Sequence, residues 1–303
     1  MKTRKQKTSN TERRNLRNGL LFCSPILLGL AAFTVYPMLA SLYYSFCNYP
    51  MLKPPVWVGL ANYRTLVHDP VFYTALYNTA YFAVIATPAG IVTAFALALL
   101  LNQKVKGMAV FRTMFFVPSI VPIVAGSVLW LWILNRQYGL VNTMLVKLHI
   151  PLFNGLDDPV TAKPALILMS VWGVGAWMLI YLAGLQDVPV DLYEAAEIDG
   201  ASPFQRLRHI TIPFMSPHLF FTLIMGFIGA AQYFTQVYVM TNGQGGPVDS
   251  TRFFSIYLFQ NAFQYFKMGY ACALAWILFI LILIFTLVLF KTSARHVYYG
   301  GEK

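Results

Sequence analysis

The sequence predicts an all-α integral membrane protein with six spanning helices, and three observations predict it. Apolar residues make up 58% of the 303-residue chain and charged residues 11%, against about 45–50% and about 25% in soluble domains. Six stretches of at least 23 residues contain no Asp, Glu, Lys or Arg: 18–52, 70–103, 113–135, 164–186, 210–248 and 268–290. All eleven acidic residues fall outside them. A helix crosses a hydrocarbon core of about 30 Å with about 20 residues, so each stretch is long enough.

Residues 1–17 are polar and basic and are expected to be a disordered cytoplasmic tail. The apolar run that follows is longer than the roughly 7–15 residues of a signal-peptide core, which makes it the first span. The segment from Cys47 to Pro70 is rich in Pro and Tyr and carries Trp57, a composition suited to an interfacial lid over the helix ends. Span two holds Pro88 beside Gly90, and span three holds Pro118 and Pro122. Such interruptions free backbone carbonyls and belong inside a bundle or beside a cavity. Gly173, Gly175 and Gly184 in span four, and Gly226 and Gly229 in span five, are candidates for close helix approach. The charge-free run Phe253–Phe266 has 14 residues, too few to span, and reads as a helix lying at or dipping into the interface. The transmembrane domain thus covers 18–290, with a loop at 187–213 and a cytoplasmic tail at 291–303.

Orientation follows from the 22 basic residues. Lys2, Arg4, Lys5, Lys7, Arg13, Arg14, Arg17, Lys104, Lys106, Arg112, Arg206, Arg208, Lys291, Arg295 and Lys303 fall on one side, fifteen in all. Lys53, Arg64, Arg136, Lys147, Lys163, Arg252 and Lys267 fall on the other, so both termini are expected to be cytoplasmic. The net charge of +11 is spread along membrane edges and points to lipid head groups rather than nucleic acid. Cys23, Cys47 and Cys272 have no CxxC spacing and suggest neither disulfide nor metal.

Several function classes lose their chemistry here. Ion-coupled pumps usually carry an ionisable group inside a span, and only His218 lies near one, where a structural role is expected. There is no HExxH, no GxSxG, no nucleophilic triad and no GxxxxGK[ST] phosphate loop, so no catalytic, metal-ligating or cofactor-binding residue is expected. Energy for uphill movement has to come from another chain.

One polar stretch interrupts this pattern: Tyr193 to Pro213, "YEAAEIDGASPFQRLRHITIP". Pro189 and the acidic residues after it favour a helix start, with the carboxylates near the positive end of the helix dipole. Gly200 takes a positive φ cheaply and ends that helix, and Ser202-Pro203 restarts another. Two short helices at an angle are expected. By spacing alone this unit is equally well a compact connecting loop.

Glu194-Ala195-Ala196, Gly200, Ile210 and Pro213 resemble the EAA signature of ATP-binding-cassette importer permeases, with every spacing matched and Ile212 standing where that family prefers Leu. Trp57 to Tyr63, Asn78-Thr79, Thr241 to Pro247 and Gly269-Tyr270-Ala271 are similar to the sugar-importer branch. The run "YPMLASLYYSF" in span one is similar to its maltose-permease-F-like half. The resemblance implies a type I importer permease fold in a bacterial or archaeal cytoplasmic membrane, with coupling helices between spans four and five. It implies that Glu194, Ala195, Ala196, Asp199, Gly200, Ile210 and Pro213 form the ATPase-coupling site. The implied partners are a second homologous permease, an ATPase dimer and an extracytoplasmic solute-binding protein that delivers a carbohydrate.

In span five, Gly229, Gln232, Tyr233 and Gln236 follow i, i+3, i+4, i+7 spacing and are expected to share a helix face. Amides and a phenol beside aromatic rings suit sugars; the same groups also suit hydrogen bonding between packed helices. With no fixed positive charge in the charge-free runs, a neutral sugar is favoured. A stand-alone secondary transporter or channel is the rival reading and would work without ATP. A membrane enzyme would need one essential side chain, and a scaffold would bind an ATPase without supporting uptake.

Overall fold

The computed structural model describes residues 10–103 and 105–293. Lys2, Arg4, Lys5, Lys7, Lys104, Arg295 and Lys303 lie outside them. Helix α1 (Asn10–Leu30) passes through a π-turn at Ala31–Val35 into α2 (Tyr36–Ser45). The expected tail is therefore helical from Asn10 onward. Its Glu, Arg and Leu residues are good helix formers, and adding turns to an existing helix carries no nucleation cost. Beyond α2, strands β1 (Cys47–Asn48) and β2 (Val56–Trp57) pair antiparallel, and α3 (Ala61–Val67) follows. The Asn62 amide donates to the carbonyls of Ser45 at 2.8 Å and Cys47 at 2.9 Å, which satisfies acceptors left open where α2 ends. This hairpin and short helix mark one end of the bundle, called the hairpin end below.

Helix α4 (Pro70–Leu101) starts on an Asp69 cap that accepts from Val71 N at 2.9 Å, with Pro70 at the first position. Pro88 does not break it. Its buried residues include Ala75, Thr79, Ala83, Ala86, Gly90, Ala94 and Ala98, a stripe of small side chains at helical spacing. Lipid tails are as apolar as the core, so backbone proximity and dispersion rather than water exclusion hold such a stripe to its neighbours. Those neighbours are the helices of spans four and five.

Span three is α5 (Met108–Ile120) and α6 (Ile123–Ile133), which meet at 98°. Pro118 leaves one ladder bond unmade and Val121 before Pro122 is extended, the conformation a following proline favours. After α7 (Leu140–Lys147), span four is α8 (Pro159–Trp172) and α9 (Gly175–Gln186), bent by 47°. Asp158 caps α8 by accepting from Val160 N at 2.8 Å. The helix consequently begins before the charge-free run does and takes Lys163 inside it. Counting each bent pair as one span, the described residues hold six spans: the four helical stretches Arg14–Ser45, Pro70–Leu101, Pro203–Thr241 and Met268–Thr292, and these two pairs.

Helices α10 (Val190–Ile198) and α11 (Pro203–Arg206) form the polar loop. A π-turn at Leu207–Thr211 joins α11 to α12 (Ile212–Ala231), so the second short helix is the start of span five rather than a separate unit. Residues 232–234 then leave helical geometry before α13 (Thr235–Thr241). Helix α14 (Phe254–Phe259), extended by a π-turn at Gln260–Gln264, precedes α15 (Met268–Ser293). The run 253–266 was expected at the interface. Within it Phe253, Phe254, Ile256, Gln260 and Asn261 are buried against the bundle while Phe263, Tyr265 and Phe266 are exposed, and Phe254 N donates to Thr79 Oγ1 at 2.8 Å. A run buried on several sides shows no polar face in its composition, so its burial is not legible as amphipathicity.

Candidate functional site

The polar loop closes in a defined way. Gly200 adopts φ +75°, and two backbone bonds lock the turn: Gly200 N to Glu197 O at 3.1 Å and Ala201 N to Ala196 O at 2.8 Å. This pair of bonds consumes the last carbonyls of α10 and needs a left-handed residue, which glycine supplies without strain. Ser202 and Gln205 then form a reciprocal cap on α11. Tyr193 and Thr211 share a hydrogen bond at 2.9 Å, and Arg206 pairs with Glu197 at 3.3 Å, so both arms of the turn are tied together. The tied loop presents Glu194, Ala195, Asp199 and Gly200 to solvent, together with Ile198, 87% exposed, and Phe204, 68% exposed. Ala196, Asp199, Gly200 and Ile210 line a shallow groove with Gln205 and His209. Pro213 stands at the second position of α12, just past the π-turn.

A second feature sits in the bundle. A cavity of about 200 Å³ opens between α4, α8, α9 and α12. Its wall includes Phe82, Thr87, Gly90, Ser170, Trp177, Gly226, Gly229 and Tyr233. The Tyr233 ring stacks on Phe82 with centroids 4.4 Å apart. The hydroxyls of Thr87 and Tyr233 are both buried and have no hydrogen-bond partner. A buried hydroxyl without a partner costs about 1–3 kcal/mol, and two such residues belong to this one cavity wall.

The glycines that permit this cavity differ in role. A methyl group on Gly226 would meet Trp177 at 2.7 Å and Thr87 at 2.8 Å, and one on Gly175 would meet Phe115 O at 2.6 Å. One on Gly184 would meet the His218 ring at 2.7 Å, which accounts for that histidine as packing between spans four and five. Gly229 has open space where its side chain would stand, and Gly173 has only Ser170 O at 3.8 Å. Gly229 therefore widens the cavity rather than joining helices.

The expected face of span five is only partly assembled. Gly229 and Tyr233 line the cavity, whereas Gln232 is exposed at the end of α12 and Gln236 lies on α13 beyond the break. The i, i+7 spacing does not survive because 232–234 are not helical. The aromatic rings there pack onto distant segments instead: Tyr233 on Phe82 and Phe253, Phe234 on Phe259. Thr87, Ser170 and Trp177 escaped notice in the sequence. Thr87 sits between Ala86 and Pro88, and a hydroxyl next to a proline in the apolar middle of α4 is the available signal.

At the hairpin end, burial works to raise the Asp69 carboxyl, yet hydrogen bonds from Tyr257, Tyr270 and Val71 outweigh it and hold the group below the ordinary carboxylate value. Asp69 thus ties α14 and α15 to the start of span two. Asn48, Tyr49, Asn62 and Lys267 complete a polar cleft of about 260 Å³ there.

With loop and cavity placed, the sequence profile described as "Binding-protein-dependent transport system inner membrane component" matches residues 86–296. The chain belongs to this family. This permease is 40% identical over 306 residues to the probable ABC transporter permease protein YesP of Bacillus subtilis, spanning 98% of this chain and 97% of that one. It is 35% identical to the lactose transport system permease protein LacF of Rhizobium radiobacter, spanning 91% and 94%. A crystal structure of a bacterial ABC transporter that imports the acidic polysaccharide alginate contains a chain matched with TM-score 0.79 at 22% identity, covering 95% and 99%. At that identity the likeness speaks for the fold, a type I importer permease.

Proposed function

We propose that this chain is the permease subunit of a carbohydrate importer of the ATP-binding-cassette class. The observation that carries the reading is one helix with two ends. Helix α12 leaves the exposed, tied loop at 190–211 and reaches the cavity at Gly226 and Gly229. Glu194, Ala195, Ala196, Asp199, Gly200, Ile210 and Pro213 form the docking unit for an ATPase subunit, with Ile198 and Phe204 as its apolar anchors. Closure of an ATPase dimer moves the loop, and α12 carries the movement to the cavity wall. ATP is hydrolysed by those partners. A second permease completes the path, and a solute-binding protein delivers the sugar at the hairpin end, which faces away from the cytoplasm. Carbohydrate as cargo rests on the full-length likeness to LacF and on a cavity walled by the aromatic rings of Trp177, Phe82 and Tyr233 with Thr87 and Ser170 among them.

The test is purification of the tagged chain from gently solubilised membranes, with partners identified and quantified by mass spectrometry. Recovery of an ATPase and a second permease, with the ATPase depleted at least several-fold in Glu194→Lys, is the expected result. A chain that purifies alone even after crosslinking sinks the reading and restores the stand-alone transporter.

A further inference from the structure

The early start of α8 puts a cation where the charge-free runs lead one to expect none. Lys163 stands just past the first turn of α8, and its ammonium turns inward to α4. Nζ donates to Asn78 Oδ1 at 3.0 Å and lies 5.0 Å and 4.9 Å from the ring centroids of Tyr77 and Tyr81. Asn78 is 2% exposed, and its Nδ2 donates to the carbonyls of Asp249 at 2.8 Å and Arg252 at 3.2 Å. Those two bonds fix the amide so that its oxygen faces the lysine. Every partner of the ammonium is thus neutral. Among the described residues the ion pairs are Arg206–Glu197 and Arg252–Asp249, so the one carboxylate in this hydrogen-bonded network already belongs to Arg252.

An ammonium has three N–H donors, and Asn78 takes one; ring faces attract the charge without accepting in the lone-pair direction. Lys163 stands near the hairpin end of span four, partly buried and without a counter-ion, and ionisable groups in span helices serve pathways and ligands. Its position supports that use. Asn78, Phe82, Ala86 and Gly90 repeat every fourth residue of α4, and the last three line the cavity. Lys163 and Ser170 are two turns apart on α8, and Ser170 lines it too. The cation therefore stands about 10 Å from the cavity wall, toward the hairpin end. Tyr77, 62% exposed beside the ammonium, leaves apolar ring surface open to a guest.

We propose that Lys163 is a specificity-determining residue that pairs with a carboxylate of the substrate, so that the saccharide carried is a uronate-containing oligosaccharide rather than a neutral one. This rests on the carbohydrate reading above. The experiment uses the co-purified transporter complex in lipid nanodiscs and measures binding of digalacturonate and of its neutral counterpart, digalactose. Wild type is expected to bind digalacturonate about tenfold or more tightly than digalactose, the scale of one charge-assisted hydrogen bond. Lys163→Gln should erase that preference while leaving digalactose binding unchanged, and Lys163→Arg should keep most of it. Equal binding of the two sugars by wild type, or a preference that survives in Lys163→Gln, overturns the role of Lys163 and leaves the carbohydrate reading intact. Loss of both sugars in Lys163→Gln makes the lysine structural and also overturns it. Wild type that binds neither sugar counts against the carbohydrate reading itself.

Discussion

Gly200 offers the sharpest test of the loop, because its surroundings isolate a backbone effect. A side chain placed there would meet nothing within 4 Å, so sterics with neighbours contribute nothing. What remains is φ +75°. An ordinary L-residue in that region costs about 1–2 kcal/mol, whereas Asn tolerates it. Gly200→Asn should therefore sustain ATP-coupled uptake close to wild type, and Gly200→Ala should lower the population of the closed turn about 5- to 30-fold. Gly200→Pro fixes φ near −65° and also deletes the N–H that reaches Glu197 O at 3.1 Å, adding about 1 kcal/mol. Uptake into proteoliposomes reconstituted with the partner subunits should fall in the order Asn, Ala, Pro, with equal amounts of inserted protein in all three. An Ala variant that couples as well as Asn would refute the argument, since the left-handed turn would then carry no functional cost.

Tyr233→Phe removes a buried hydroxyl that has no partner; the variant should melt at the same or a higher temperature, by up to about 1–3 kcal/mol of stability, while binding sugar more weakly. A drop in both, read by thermal unfolding and ligand titration, would mean the hydroxyl serves the fold. Asp69 has a depressed folded-state pKa, so its contribution to stability is present above the unfolded value near 3.8 and is lost as pH falls through the lower folded value. Melting temperature in detergent should therefore drop as pH falls below the unfolded value near 3.8 in wild type and more shallowly in Asp69→Asn; identical slopes would remove Asp69 from the account. Gly175→Ala should destabilise by about 1–3 kcal/mol, because its methyl would meet Phe115 O and Phe116 Cα at 2.6 Å and 2.9 Å, whereas Gly173→Ala should cost little. Equal melting temperatures for the two would contradict the close packing of spans three and four.

The six spans were legible because a membrane forbids unpaired charge along about 20 residues, and that rule is written directly in composition. The loop was legible for a different reason: Gly200 and Ser202-Pro203 state their backbone demands locally. Span five resisted. No Pro or Gly announces the break at Gln232–Phe234, which follows from Tyr233 reaching Phe82, some 150 residues away in the chain. Lys163 reads from composition as a flanking loop residue, because the charge-free run begins one residue after it, while the helix obeys the Asp158 cap. Charge marks where a span is safe; caps mark where a helix starts, and the two differ here by several residues.

The unbroken course from Pro203 through the π-turn into α12 has a mechanical consequence. Gly229 lies 26 residues beyond Pro203, about 39 Å along the axis. A tilt of about 5° pivoting at Pro203 displaces the cavity wall by about 3 Å, roughly one hydrogen-bond length. Angular changes too small to disturb the side-chain packing around the loop are thereby geared up into a shift large enough to make or break contact with a guest molecule.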